Sequence, residues 1–161
     1  MKVKISMKLI NQDLIAQLSS KAKTSPRQRA IHCFHEGDAD TMHRMLNALE
    51  PTTYVQPHLH PDKHEAFIIL KGSILFVVFD EDGNITNHQV LAEGTSNFGL
   101  EIPPKTYHTL IALKEGTVIF EIKHGPYHLL TDKVFAKWSP QEGEATCQAF
   151  NDAILEKLIC L

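Results

Sequence analysis

The chain has 161 residues, of which 43% are hydrophobic and 22% charged, and its formal net charge is -3. These values are typical of one globular domain with its own core, and the weak negative charge gives no electrostatic reason to expect nucleic acid or an anionic membrane as a partner. Three cysteines without paired spacing (Cys33, Cys147 and Cys160) argue against a disulfide framework and for a reducing, cytoplasmic compartment. The N-terminus lacks the apolar segment of a signal peptide, and the longest apolar run, residues 74–79, is too short to span a membrane.

The two ends of the chain are predicted to be helical. Apolar residues recur at four-residue spacing from Leu14 to Ala22, which predicts a helix over about residues 11–24. Pro26 ends this helix because the residue before a proline avoids the helical region. A second apolar stripe predicts a C-terminal helix over about residues 144–158.

The segment between the helices is predicted to consist of short strands. Residues 27–40 are read as an edge strand followed by a loop, and the barrel core covers about residues 42–124 of a single domain that spans residues 1–161. Many short strands at close spacing indicate an antiparallel sandwich or barrel. Residues 66–70 and 74–79 are apolar on both faces, so the face that does not line the barrel must pack against a helix, a sheet or another subunit. This surplus of apolar surface predicts a homodimer, since two-fold pairing is the commonest solution.

The most informative stretch is residues 57–65, which holds three histidines and a carboxylate. His58 and His60 project from the same side of an extended strand because successive side chains alternate. A proline–aspartate turn follows, and Glu65 then opens the next strand and can face back toward the two imidazoles. Imidazole and carboxylate together suit a borderline divalent cation, and His108 is the candidate for a fourth ligand.

Two other interpretations compete with a working metal site. The first is chance clustering among the ten histidines of the chain, and the second is a closed structural zinc site. Structural zinc prefers cysteine-rich tetrahedral shells, whereas no cysteine lies near this motif in the sequence. His64 precedes Glu65 directly and should point to the opposite face, so it is expected to be a bystander. The donor set does not distinguish zinc, iron, manganese and nickel.

Four further residues are weaker candidates for the wall of a substrate pocket: Arg44, Lys63, Tyr107 and Glu121. Glu121 is a charge within an apolar strand, so it either faces inward with a partner or outward into water. The guanidinium of Arg44 could bind a carboxylate or phosphate of a substrate, or it could pair with an internal acid.

Two motifs resemble those of the cupin superfamily. The first is His58-x-His60-x4-Glu65-x6-Gly72, and the second is the run at positions 103–108, where a lysine at 105 replaces the usual glycine. The resemblance implies a mainly β fold: a single cupin-type antiparallel β-barrel (a double-stranded β-helix or jelly roll) with an N-terminal and a C-terminal helix. It also implies one divalent metal ion. The implied ligands are His58, His60, Glu65 and His108.

Segments 44–51, 60–63, 125–127 and 138–140 extend the resemblance to the WbuC-type cupin metalloproteins, a family associated with bacterial O-antigen gene clusters. The resemblance implies a metal-dependent enzyme, isomerase-like, epimerase-like or oxygenase-like. Its substrate would be a small polar molecule such as a sugar or sugar nucleotide of surface-polysaccharide biosynthesis. The alternative is a non-catalytic cupin module that binds a sugar or regulates a pathway enzyme.

Overall fold

The computed structural model describes residues 7–159, which form two α-helices and ten β-strands. Residues 1–6 and 160–161 of the predicted domain, Cys160 among them, lie outside that range. The helices are α1 (Gln12–Thr24) and α2 (Cys147–Leu158). The strands are β1 (Arg29–Cys33), β2 (Met42–Leu49), β3 (His58–Leu59), β4 (Glu65–Lys71), β5 (Ser73–Phe79), β6 (Ile85–Ala92), β7 (Gly99–Ile102), β8 (Tyr107–Ala112), β9 (Thr117–His124) and β10 (Val134–Phe135).

The strands make two five-stranded sheets in which every pairing is antiparallel. The first sheet has the order β1-β2-β9-β4-β7, and the second has the order β10-β3-β8-β5-β6. Because most neighbours within a sheet are distant in sequence, the chain crosses repeatedly between the sheets, as in a jelly roll. The structure confirms the predicted mainly β fold with one helix near each end.

The inner faces of the two sheets share one apolar core. Phe67 and Ile69 of the first sheet pack with Ile74, Phe76 and Leu110 of the second, and each of these side chains is at most 7% exposed. They alternate with outward-facing residues along their strands, as the two-residue period of a strand requires. Burying one such side chain contributes roughly 1.5–3 kcal/mol, so this layer is the main source of stability.

The two helices cover different outer faces. Helix α1 begins after Asn11, whose side-chain oxygen accepts the backbone N–H of Leu14 at 3.0 Å, and its buried stripe packs on β2 and β9. Helix α2 packs through Ile154 on the outer face of β5 and β8. The cover that the two-sided apolar strand 74–79 was predicted to need is therefore supplied by α2.

Helix α2 begins at Cys147, three residues later than predicted. The N–H of Cys147 donates to the carbonyl of Glu144 at 3.2 Å, which closes a turn directly before the helix starts. Strand β10 escapes prediction because two residues carry no periodicity. No helix among residues 7–159 has both the length and the apolar character required to cross a membrane.

Candidate metal centre

The four predicted ligand residues come together where the two sheets meet. Strand pairing places His58 of β3 directly opposite His108 of β8 in the second sheet. His60 follows β3, and Glu65 is the first residue of β4 in the first sheet. All four side chains are at most 4% exposed. Residues 50 positions apart in sequence thus form one buried polar cluster.

The distances within this cluster are short. Glu65 approaches His60 with one carboxylate oxygen, Oε1 to Nε2, at 3.0 Å, and it approaches His108 with the other, Oε2 to Nε2, at 3.2 Å. One possible ligand atom from each of His58, His60 and Glu65 lies within 4.8 Å of the other two. His108 is not part of this mutually close trio, but it adjoins Glu65 and its ring centroid lies 4.6 Å from that of His58.

Backbone carbonyls determine the tautomers of all three histidines. Each Nδ1 lies within hydrogen-bonding distance of a carbonyl oxygen. The acceptors are Gln56 for His58 (2.8 Å), Asp132 for His60 and Thr106 for His108 (2.9 Å). Because a carbonyl oxygen can only accept, each Nδ1 carries a proton, and in a neutral ring each Nε2 then presents a lone pair. This is the arrangement by which proteins orient histidines toward a metal.

The lone pairs meet without a donor between them. Nε2 of His60 and Oε2 of Glu65 are buried and have no hydrogen-bond partner among the described residues. A neutral imidazole nitrogen and a carboxylate oxygen at 3.0 Å repel each other unless a cation, either a proton or a metal ion, lies at the site. Three nitrogen donors and one carboxylate are a set that zinc, iron, manganese and nickel all accept. The residues therefore fit a divalent ion.

The electrostatics favour the metal-binding protonation states. Burial holds the pKa of His58 well below its ordinary value, and the positive charge of Lys133 lowers it further. Burial alone would raise the pKa of Glu65, but hydrogen bonds and positive charge from His108 and His60 hold it well below the ordinary value when a cation, here a proton on these rings, lies beside the carboxylate. Neutral His58 and ionised Glu65 are the forms that bind a metal.

A group of buried charges lies beside the ligands. The carboxylate of Asp132 accepts hydrogen bonds from Lys63 at 2.5 Å and from Lys123 at 2.9 Å. Lys123 also lies 4.0 Å from Glu65. Although burial opposes it, the charges of Glu121, Glu65 and Asp132 raise the pKa of Lys123, while the two lysines lower the pKa of Asp132.

Glu121 faces inward, which is one of the two orientations that the sequence left open. Its half-buried carboxylate accepts a hydrogen bond from the side-chain amide of Asn47 at 2.7 Å. Burial and the neighbouring charge of Glu65 raise the pKa of Glu121 to about 7. Glu121 and Lys63 thus adjoin the cluster.

Arg44 and Tyr107 are not brought to the cluster. Arg44 lies on the outer face of β2 and helps to line a separate open cavity of about 610 Å³ with Phe34 and Phe120. Its guanidinium is 3.9 Å from Asp40. Tyr107 packs on the outer face of the second sheet, with its ring 6.0 Å from that of Trp138.

Two neighbouring positions bear on the sequence motifs. The side chain of His64 is 48% exposed and lies 3.5 Å from that of Glu101, on the outer face where alternation places it. Lys105 adopts a φ of 63°, the left-handed conformation that favours glycine, and its N–H donates to the carbonyl of His60 at 2.7 Å. The turn geometry of the second motif is therefore kept although its glycine is not.

Sequence reasoning missed Asp132 and Lys123. Asp132 lies in an irregular segment with no periodicity, so no local signal could have identified it. Lys123 did carry a signal, since a charge at the end of an apolar strand that pairs with the strand of Glu65 needs a buried partner.

The two facing antiparallel sheets form a cupin-type jelly-roll barrel, and solved structures share this fold. An oxalate oxidase in complex with the substrate analogue glycolate is 15% identical with a TM-score of 0.52, over 70% of this chain and 57% of its own. The capsular polysaccharide assembling protein CapF from Staphylococcus aureus is 16% identical with a TM-score of 0.58, over 70% and 30%. L-ribose isomerase from Cellulomonas parahominis is 12% identical with a TM-score of 0.54, over 69% and 70%. The aligned part is thus under two thirds of the first two proteins.

The sequence itself belongs to a more closely defined group. The family described as "Domain of unknown function (DUF6016)" matches residues 10–91, just over half of the chain, and the chain is a member of that family. The matched region contains the first motif with three of the four predicted ligand residues. A comparison with curated proteins finds no match.

Proposed function

We propose that this cupin-type protein binds one divalent metal ion through His58, His60, Glu65 and His108. We further propose that it is a metal-dependent enzyme acting on a small polar molecule. The observation that carries the proposal is the orientation of the three imidazoles. Each Nδ1 is held by a backbone carbonyl, and two buried polar atoms of the cluster have no hydrogen-bond partner among the described residues.

We propose separate roles for the residues that bind the ion and those that contact the substrate. The three histidines and Glu65 hold the ion, which as a Lewis acid would polarise a carbonyl or hydroxyl oxygen. Glu121 lies next to Glu65 and is the nearest candidate for contact with a substrate, with Lys63 as a second. Isomerisation or epimerisation requires only a redox-inert ion, whereas oxygenase-like chemistry would require iron in the same ligand set.

A sugar or sugar nucleotide of surface-polysaccharide biosynthesis is the substrate class that we propose. Two of the structures with this fold are named as a capsular polysaccharide assembling protein and a sugar isomerase, and the sequence motifs resemble those of the WbuC-type cupins. We also propose a cytoplasmic location, on the basis of the unpaired cysteine pattern in the sequence.

Metal analysis with a matched pair of variants tests the metal site. Wild type purified from its native host should contain about one divalent ion per chain, and His58→Ala should contain much less. His88→Ala, which removes an exposed histidine on β6, is the control and should bind as wild type does. An equal metal content in all three proteins would overturn the proposal.

Turnover separates the enzyme from the non-catalytic module. The metal-loaded protein is incubated with aldoses and nucleotide sugars while mass spectrometry detects product and NMR detects proton exchange. Turnover that disappears in His58→Ala supports the enzyme. Saturable binding without turnover in the zinc, iron, manganese and nickel forms would instead establish the sugar-binding or regulatory module.

We also propose that the protein forms a homodimer. Helix α1 covers only part of the outer face of the first sheet, and it leaves Ile68 of β4 39% exposed. Phe98, just before the edge strand β7, is 54% exposed. Light scattering at micromolar concentration should give twice the mass of the chain, and a monomer mass would contradict the proposal.

A further inference from the structure

The irregular segment between β9 and β10 carries a carboxylate that contacts the cluster in two ways. The backbone carbonyl of Asp132 accepts the Nδ1 proton of His60, and its side-chain Oδ2 lies 3.4 Å from the same nitrogen. The side chain of Asp132 is only 1% exposed. A single residue outside the sequence motifs therefore faces one of the proposed ligands with both its main chain and its side chain.

The same carboxylate also holds two ammonium groups. Lys63 comes from the loop between β3 and β4, and Lys123 comes from β9, and both donate to Asp132. Lys63 donates in addition to the carbonyl of Pro126, which closes the segment onto the barrel. Burying two lysines beside a cation site is costly, because their charges repel the ion at low dielectric.

We propose that Asp132 is a positioning residue for the metal centre: it orients His60 and offsets part of the positive charge of Lys63 and Lys123, which would otherwise repel a divalent ion more strongly. This inference rests on the proposed metal site. The irregular segment between β9 and β10, which carries Asp132, would then support the metal centre. Partners of ligating histidines commonly change metal affinity by about tenfold to a hundredfold when they are altered.

The test measures the affinity of the purified protein for Co²⁺ and Zn²⁺ by competition with a chromophoric chelator. Asp132→Asn preserves the shape and the backbone carbonyl but removes the charge, so it should bind both ions about tenfold to a hundredfold more weakly. The double variant Lys63→Met with Asp132→Asn removes one of the unbalanced ammonium groups and should regain most of that loss. A purely structural role for Asp132 predicts no such recovery.

Glu50→Gln is the matched control. Glu50 is likewise a buried carboxylate, 5% exposed, which accepts the N–H of Gly116 at 3.2 Å. Near its start, β2 pairs with β9 through His43 and Lys123, beside the cluster. Glu50 follows the other end of β2, away from the cluster. Glu50→Gln should lower the melting temperature and leave the affinity for Co²⁺ unchanged.

The outcomes distinguish this inference from the proposed function. If wild type binds neither ion, the proposed metal site is wrong and the inference fails with it. If wild type binds but Asp132→Asn binds equally well, or binds weakly without recovery in the double variant, only the role of Asp132 is refuted. Should Asp132→Asn fail to fold, Lys63→Met alone decides: tighter binding than wild type supports the inference, and unchanged or weaker binding overturns it.

Discussion

The interior of the barrel has two ends that obey different rules. At one end, Ile74, Leu91 and Ile119 form a layer of apolar side chains that are at most 1% exposed. At the other end, His60, Glu65 and their neighbours place imidazoles, carboxylates and ammonium groups in equally buried positions. The apolar end gains free energy by leaving water, whereas the polar end loses free energy unless its groups are paired. Stability should therefore depend on the first end and metal binding on the second.

The largest expected effect is at the apolar end. Ile74→Ala removes a fully buried side chain from the core and should cost about 2–5 kcal/mol in the free energy of unfolding, because a cavity remains. Urea denaturation measures this loss, and metal content per folded chain should stay that of wild type. A variant that lost its metal while still folded would mean that the two ends are not independent.

The corresponding change at the polar end is His58→Ala. Without metal, this variant should unfold at nearly the same urea concentration as wild type, because the core supplies the folding free energy. With metal at about 100 to 1,000 times the dissociation constant, wild type alone should gain about 3–4 kcal/mol. Circular dichroism together with bound-metal analysis tests this, and loss of ellipticity together with metal in both His58→Ala and metal-free wild type would identify the site as a structural one.

Acid should act on the polar end selectively. The pKa of His58 in the folded protein lies well below the ordinary value, so between that pKa and about 6.5 the unfolded chain binds a proton that the folded chain does not. The free energy of unfolding therefore falls as the pH drops through this window, by up to about 1.4 kcal/mol per pH unit for one group. Urea titrations of the metal-free protein at several pH values give the slope.

His58→Ala provides the internal check on this slope. Its stability should vary less with pH than that of wild type over the same window. His43, whose pKa burial also lowers, should keep some dependence in both proteins. Identical slopes for wild type and variant would show that His58 does not titrate as described.

The smallest expected effect concerns the turn before His108. Lys105 has a φ of 63°, a conformation that costs an L-residue roughly 1–2 kcal/mol. Glycine would remove this cost, but it would also make the unfolded chain more flexible, which cancels part of the gain in stability. Lys105→Gly should raise the free energy of unfolding by about 1 kcal/mol or less, a shift of about 2–4 °C per kcal/mol in melting temperature. Lys137 is an exposed lysine without a positive φ, so Lys137→Gly is the control and should bring no gain. Metal affinity should be unchanged in both variants.

Local spacing was sufficient to predict much of this protein. The alternation around His58 and His60, the turn after them and the apolar strands all depend on neighbours in sequence, and the fold they predict is the one observed. The face of Glu121 was left open because alternation alone gives two equivalent answers for a strand that is apolar on both sides.

The outer positions of Arg44 and Tyr107 show the limit of such reasoning. Tyr107 directly precedes His108, yet it falls on the opposite face of β8 from that residue, and Arg44 falls on the outer face of β2. Closeness in sequence to a motif therefore does not place a side chain in the site, because the period of a strand is two.

The sequence by itself determined which residues could bind a metal, because ligand type and strand period are local properties. Only the tertiary structure decided how that site is supported. His60 receives its backbone acceptor from Asp132, 72 residues away, and Lys63 and Lys123 reach the same carboxylate from two other elements. Burial makes these distant charges interact strongly by excluding water, and no periodicity in the chain records which of them will share a low-dielectric site.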